Sequence, residues 1–235
     1  DRTIDFLRPI TADCLFCHSG ASKPIAGTVN RYAVEDPIPE PAITCARCHG
    51  AGEAHVRDAR RGNIVNPARL PDAKRDSICE QCHLSGVARV PLPGKSFADF
   101  RPGLQLEEVF SVYVPESYRE FKVVSHAEQL ALSECAKASG GRLWCGSCHD
   151  PHREPADAKG WYREHCQTCH TQTRPHGDNC AGCHMPRTMA HDGGHAAFTD
   201  HRIRKPGPEA AKVPALTALR AWREPAASWR ERGLG

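Results

Sequence analysis

The sequence predicts a mainly helical and irregular fold with little β-structure, in which the polypeptide does not build the core by itself. Aromatic residues make up 6% of the 235 residues and hydrophobic residues 40%, so few large side chains are available for packing. The 19 prolines and 19 glycines interrupt regular structure throughout the chain. The third observation is a motif, Cys-x-x-Cys-His, that occurs six times. Whatever this motif binds is expected to supply the missing core.

The six motifs use twelve of the thirteen cysteines and six of the fourteen histidines. Cys-x-x-Cys-His is typical of covalent c-type haem attachment, in which the cysteines bind the haem vinyl groups and the histidine is the proximal iron ligand. Zinc ribbons and disulfide scaffolds also pair cysteines, but neither needs a histidine after every second cysteine. The predicted attachment residues are Cys14, Cys17, Cys45, Cys48, Cys79, Cys82, Cys145, Cys148, Cys166, Cys169, Cys180 and Cys183. The predicted proximal ligands are His18, His49, His83, His149, His170 and His184.

Six covalently attached haem c groups would leave about 39 residues for each, too few for every haem to have a conventional protein core. The haems are therefore expected to form the core themselves, and the chain is not expected to fold without them. Three of the motifs lie between Cys145 and His184, so their haems should be close together.

The formal charge of +3 is expected to become about −3 when six oxidised haems with ionised propionates are counted at about −1 each. Lysines and arginines are then predicted to pair with propionates, and no basic block predicts nucleic-acid binding. No apolar run is long enough for a membrane span. Covalent haem c attachment predicts an extracytoplasmic location (periplasmic, cell-surface or extracellular), with a secretion signal removed ahead of Asp1.

The longest interval without a motif, residues 84–144, contains most of the regular structure expected outside the motifs. It begins as a proline- and glycine-rich loop, and two β-prone runs at 109–117 and 118–124 allow one small β-hairpin. Residues 125–141 predict one helix, which Ser125 and Glu128 would start as a capping box and the glycine pair would end. Its predicted buried stripe is Leu130, Ala131, Cys135 and Ala138. Cys135 is expected to be a packed thiol, with an intermolecular disulfide as the alternative.

Eight histidines lie outside the motifs, enough for a distal ligand on each of six irons. His55 and His152 follow the proximal His49 and His149 too closely to reach the far face of the same haem, so each is expected to ligate a neighbouring one. His126 stands at the start of the predicted helix. The predicted distal ligands are His55, His126, His152, His176, His195 and His201. His165 and His191 are left out, and replacement of a chosen ligand by either of them stays open.

Residues 1–205 are predicted to form a hexahaem cytochrome c domain, and residues 206–235 a proline-rich joint with a short helical tail. The segments CARCHGAGEAH, CEQCHL, PGKSFADFRPG, SHAEQLALSECAKASGGRLWCGSCHDPH, CAGCHMP and HAAFTDHRI resemble a family of multihaem c-type cytochromes. That family is related to the tetrahaem electron-transfer cytochrome of nitrifying bacteria, and many members carry tetratricopeptide repeats after the haem domain. The resemblance covers residues 13 to about 205. It implies mostly bis-histidine haems in stacked pairs and supports the same six distal histidines.

Irons with ligands on both faces favour electron transfer over catalysis, because no coordination position is left for a substrate. The sequence therefore predicts a non-enzymatic protein that conducts electrons along six haems, with other redox proteins or extracellular electron acceptors as partners. The alternative is an oxidoreductase with one open catalytic haem that acts on a small nitrogen or sulfur compound. A further alternative is head-to-tail assembly of copies of the chain into an extracellular haem filament.

Overall fold

The structure is a computed structural model that describes residues 9–116, 121–171, 177–193, 196–205, 207 and 218–223. Its helices are α1 (Ala12–His18), α2 (Ala46–His49), α3 (Glu53–Arg57), α4 (Asp72–His83), α5 (His126–Leu132), α6 (Glu134–Ser139), α7 (Ala158–Gln167) and α8 (Cys180–His184). Its strands are β1 (Ala88–Pro91), β2 (Phe110–Pro115), β3 (Arg187–Met189), β4 (Ala197–Thr199) and β5 (Leu219–Ala221). Short 3-10 turns lie at Pro67–Arg69, Phe97–Asp99, Leu106–Glu108 and Cys145–Ser147. The prediction of a mainly helical and irregular chain with little β-structure is confirmed.

Strand β2 is the centre of a three-stranded sheet with the order β1-β2-β5. It is buried along its whole length and runs antiparallel to β5, with Tyr113 opposite Ala221. The predicted hairpin is wrong in its second strand: residues 117–120 lie outside the described residues, and 121–124 are not extended. Other segments hydrogen-bond to both edges of β2. Val87 N–H donates to Tyr113 O, and Trp222 N–H donates to Val112 O.

Two further differences concern short strands. β3 and β4 form an antiparallel pair that the sequence did not predict, since three residues are too few for a recognisable alternation. In the predicted helical tail, Leu219–Ala221 is the strand β5, because its backbone pairs with β2. Most of the tail lies outside the described residues.

The chain forms two compact units. Unit 1 comprises residues 1–82 and 90–111, and unit 2 comprises residues 83–89 and 112–235. The first boundary falls inside the third motif, between Cys82 and His83. The predicted limit at residue 205 stays a prediction.

Unit 1 has an aromatic core. The rings of Phe16, Phe97 and Phe110 contact one another with centroids 5.1 to 5.9 Å apart. Phe16 is the buried residue of α1, and Phe110 is fully buried at the start of β2. Leu106 N–H donates to the buried Ser77 Oγ of α4, which joins that helix to the same region.

Unit 2 buries polar as well as apolar side chains. Leu84 and the β2 residues Val112, Tyr113 and Val114 are almost completely buried. Glu128, Gln129, Ser125, Ser133 and Asp200 are equally inaccessible, at 0 to 2% exposure. Polar groups are buried at tolerable cost only when hydrogen bonds satisfy them, so these residues are expected to have specific partners.

The helix predicted over 125–141 is broken into α5 and α6. Ser133 lies between them in an extended conformation, and its Oγ accepts from Ala136 N–H at 3.1 Å as the N-cap of α6. Gly140 ends α6 in the left-handed region at φ 60°, as predicted. The short polar side chain of Ser133 favours a cap over a helix interior, which explains the break.

The predicted capping box at the start of α5 is wrong. Ser125 Oγ accepts from Lys122 N–H at 3.1 Å, and Glu128 instead accepts from Gly86 N–H at 2.7 Å. The predicted apolar stripe is not buried either: Ala131 and Ala138 are exposed, while Leu130 and Cys135 are half-buried. The tertiary contacts of Glu128 replace the local bond that the sequence pattern suggested.

Candidate functional site

The six Cys-x-x-Cys-His motifs share one helical turn. Three of them lie within α1, α4 and α8, and in the other three the histidine N–H donates to the carbonyl of the first cysteine at 2.9 to 3.0 Å. Residues three apart in a helical turn project from the same face, so each motif presents its two thiols side by side with the histidine next in sequence. This geometry is suited to holding one planar group at three points.

Each of the thirteen cysteines is half-buried or exposed. Burial, together with the neighbouring thiols of Cys166, Cys145 and Cys135, raises the pKa of Cys148 to about 11. Burial likewise raises the pKa of Cys166, which lies beside Cys180. The thiols of the fourth, fifth and sixth motifs are therefore close neighbours in unit 2, and Cys135 lies among them.

Residues inside the motifs connect the motifs of unit 1. Arg47, in the second motif, donates to Phe16 O in the first motif, and its guanidinium lies 4.1 Å from the Phe16 ring centroid. Gln81, in the third motif, donates from its side-chain Nε2 to Arg47 O at 3.1 Å. Its backbone carbonyl accepts from Cys17 Sγ at 3.6 Å. The first two motifs and the cysteine pair of the third are thus held together.

In unit 2 the helix α7 connects the motifs. Trp161 Nε1 donates to Cys148 O at 2.8 Å, and the Tyr162 hydroxyl lies 3.4 Å from His149 Nδ1. Arg163 forms an ion pair with Asp178 at 3.2 Å, just before α8. One short helix therefore contacts the fourth motif, carries the first cysteine of the fifth and approaches the sixth.

Four of the predicted iron ligands meet in unit 2: His83, His126, His149 and His201, here called the histidine cluster. The ring of His126 contacts those of His83 and His201, with centroids 4.9 and 4.7 Å apart. His149 and His201 are stacked at 6.2 Å with their planes 29° apart. Two proximal and two distal candidates, from four separate chain segments, are brought together.

Desolvation lowers the pKa of each histidine in the cluster. Desolvation, together with the charges of His201, His83 and His149, lowers the pKa of His126 to about 4. The pKa values of His83, His149 and His201 are lowered mainly by desolvation, although the surfaces of His83 and His149 are exposed. All four are neutral at pH 7, and neutral imidazole is the form that ligates a metal.

Hydrogen bonds orient several of the predicted ligands. The Nδ1–H groups of His49, His184 and His201 donate to the backbone carbonyls of Val65, Arg204 and Thr199 at 2.7 to 3.0 Å. A donor bond at Nδ1 fixes the tautomer in which Nε2 carries the free lone pair. These rings are therefore held in the state that an axial iron ligand needs.

Neutral imidazoles are donors that haem iron accepts, and two of them would have to face each other through ring nitrogens to hold one iron. Metal–imidazole bonds of about 2.0 to 2.1 Å put two opposed rings at a centroid separation of about 6 Å. The His149–His201 pair meets this requirement in its centroid distance, 6.2 Å, but not in orientation, because its rings are stacked and an imidazole binds a metal through a nitrogen in the ring plane. His83 and His126 do not meet it as they stand, since their Nδ1 atoms are 3.3 Å apart in edge-to-face contact.

The other predicted distal ligands lie apart from the cluster. His55 Nδ1–H donates to Asn63 Oδ1 at 3.0 Å, and Asn63 is itself held by Ala54 O and Asp58 O. The side chain of His152 is 72% exposed and lies 3.4 Å from Asp150. His176 and His195 lie outside the described residues. Of the two histidines that were left out, His165 donates to Trp161 O at 2.7 Å and His191 is exposed.

Two residues that sequence reasoning missed, Glu128 and Gln129, are buried beside the cluster. Glu128 accepts from Gly86 N–H, and Gln129 accepts from His201 N–H at 2.8 Å. Burial raises the pKa of Glu128, against the lowering effect of the Gly86 bond. Amphipathic patterning could not find them, because it assigns polar residues of a helix to the solvent face.

The part of the chain that the structure describes contains no group of three or more histidine, cysteine, aspartate or glutamate side chains arranged to hold a metal ion. None of its described helices is long and apolar enough to cross a membrane. No protein-family model, no curated protein and no solved structure matches this chain. The family resemblance noted in the sequence therefore stays a prediction.

Proposed function

We propose that this protein is a multihaem c-type cytochrome that conducts electrons along six mostly bis-histidine haems outside the cytoplasm. The observation that carries the proposal is the repetition of one turn, in which paired thiols and the following histidine project together, at six places in the chain. When bound, haem would supply a reversible one-electron iron couple.

The residues of the chain would then have three roles. The paired cysteines attach the ring covalently, and the histidine that follows each pair ligates the iron from one side. Carbonyl oxygens such as those of Val65 and Arg204 hold the imidazoles in the ligating tautomer. Histidines from outside the motifs would close the second side, and His201, whose ring centroid lies 6.2 Å from that of the proximal candidate His149, is one of them.

Close packing of the motifs supports conduction between the haems. Gln81 and Arg47 tie together the motifs of unit 1, and α7 does the same in unit 2. Redox centres attached to segments in direct contact are expected to be close neighbours themselves. An enzyme would need one iron with a free side, and the eight non-motif histidines are sufficient to close all six.

The experiment combines intact mass with electron paramagnetic resonance of the oxidised, haem-loaded protein. We expect a mass with six covalent haems and a spectrum dominated by low-spin iron. A mass with fewer haems would contradict the assignment of the motifs. A strong high-spin signal would instead favour the alternative, an oxidoreductase with one open haem.

The same preparation tests how the protein operates. Electron microscopy of the native material distinguishes a diffusing shuttle from a subunit of a head-to-tail filament, which heterologous contacts would generate if they do not close. Discrete particles are expected for a shuttle that reduces other redox proteins. Filaments would identify copies of the chain as its main partners.

A further inference from the structure

Helix α5 is turned with two adjacent polar residues inward. Glu128 and Gln129 are each 2% exposed, whereas Leu132 on the same helix is 40% exposed. A surface helix normally buries its apolar side, and a carboxylate or amide is buried at tolerable cost only when it is hydrogen-bonded. The partners of these two side chains therefore explain the orientation of the helix.

Gln129 holds the segment that carries His201. Its Oε1 accepts from the backbone N–H of His201 itself at 2.8 Å, and its Nε2 donates to Ser125 Oγ at 2.8 Å. Ser125 precedes His126 directly, so the amide side chain connects the backbones around two distal candidates. A hydrogen bond from His201 Nδ1–H to Thr199 O then fixes the ring relative to that backbone.

Glu128 holds the segment that carries His83. Its Oε1 accepts from Gly86 N–H at 2.7 Å, while Lys122 Nζ donates to Gly86 O at 3.0 Å. Gly86 has a φ of 61°, and a Cβ there would lie 2.6 Å from Val112 Cγ1. Glycine is thus required, three residues after His83, where the chain passes close to β2.

From these contacts we propose that Glu128 and Gln129 are positioning residues that set His83 and His201 relative to His126. One helix would then control the ligation of two neighbouring haems. The inference rests on the proposed function, because it concerns iron ligands. It adds two residues that act through the backbone of the segments carrying the ligands.

The test compares two severe variants with conservative partners in the haem-loaded protein. Gln129→Met keeps the approximate shape but cannot accept from His201 N–H, whereas Gln129→Glu keeps that acceptor and keeps the bond to Ser125, whose hydroxyl would then donate. Glu128→Leu removes the acceptor for Gly86 N–H, and Glu128→Gln retains it. Glu134→Gln is the matched control, since Glu134 lies on α6 with 87% of its side chain exposed.

We expect Gln129→Met and Glu128→Leu each to shift or lose the low-spin resonance of one haem in six, with a displaced reduction potential for that haem. The conservative variants and Glu134→Gln should keep the parental resonance and potentials. The two severe variants should affect different haems, because Gln129 holds His201 and Glu128 holds His83.

Parental spectra and potentials in both severe variants would overturn the inference. This holds even if the thermal midpoint falls, because a merely structural role lowers stability without moving a resonance. Equal changes of resonance in the conservative variants would also overturn it.

If a severe variant cannot be loaded with haem, Ser125→Ala tests the role of Gln129 instead, because it removes the hydroxyl to which Gln129 donates. An unchanged resonance in Ser125→Ala would overturn that role. The proposed function fails separately, when the unmodified protein lacks six haems or low-spin iron.

Discussion

Units 1 and 2 hold their motifs together by different means. In unit 1, side chains inside the motifs bind the neighbouring motif, as Gln81 and Arg47 do, around a cluster of phenylalanine rings. In unit 2, histidines from four segments meet, and polar residues of a helix outside the motifs fix their backbones. The first arrangement is polypeptide packing, whereas the second is a network of potential ligands.

This difference predicts which unit would depend more on the proposed haems. Packed aromatic rings stabilise unit 1 through dispersion and apolar burial, which need no metal. Edge-to-face contacts between neutral imidazoles stabilise unit 2 less than packed aromatic rings stabilise unit 1. The buried polar groups around the imidazoles are stable only when their hydrogen bonds are made. Unit 2 is therefore expected to be the more sensitive of the two to ligation.

The largest expected effect comes from withholding haem. Protein made in a host that lacks the haem attachment machinery should show no cooperative unfolding transition in unit 2, since its apolar groups such as Leu132 stay exposed without a ring to cover them. Hydrogen exchange measured by mass spectrometry reports each unit separately. Strong protection throughout unit 2 would contradict this prediction.

The next effect is the loss of one member of the histidine cluster. His126→Ala removes a ring that contacts both His83 and His201, so we expect two of the six haems to change their low-spin resonances. His55→Ala is the comparison from unit 1, where the ring is bonded to Asn63, and only one haem should change. Equal numbers of altered haems in the two variants would remove the distinction between the units.

A smaller, purely structural effect is expected from the core of unit 1. Phe110→Ala removes a fully buried ring that packs on Phe16 and Phe97, and should lower the free energy of unfolding by about 3–5 kcal/mol. Denaturant titration followed by far-ultraviolet circular dichroism measures the loss. Val34→Ala is the control: Val34 is 97% exposed, so a loss below about 0.5 kcal/mol is expected.

The smallest effect should follow the loss of one hydrogen bond between motifs. Gln81→Met removes the amide that donates to Arg47 O and Ile78 O, at a cost of about 1–2 kcal/mol for the unpaired carbonyls. The haem count should stay at six, because no attachment residue changes. Thermal unfolding and intact mass check the two statements, and loss of a haem would show that Gln81 does more than connect the motifs.

Several elements could be predicted because their signals are local. The run at 109–117 was predicted to be β-prone, and β2 formed there because β-branched and aromatic residues suit a sheet interior. Gly140 ended α6 as expected, because glycine readily adopts the left-handed conformation that this cap position requires. The choice of distal ligands stays a prediction, and in the described part of the chain His83, His126, His149 and His201 are brought together.

The failures share a cause in long-range competition. Ser125 and Glu128 have the spacing of a capping box, yet Glu128 binds Gly86, 42 residues away, and Ser125 binds Lys122 and Gln129. The expected hairpin partner of β2 was replaced by β5, about 100 residues later in the chain. Neither choice is encoded in a short window of sequence.

The sequence by itself determined the donor chemistry: six paired-thiol motifs, each followed by histidine, and eight further histidines. It determined this because the spacing within each motif is local, and one helical turn brings its thiols and histidine together. The tertiary structure alone decided which histidines meet and which side of α5 faces inward. Those outcomes depend on hydrogen bonds between distant backbone segments, such as Glu128 with Gly86 and Gln129 with His201, that no local pattern records.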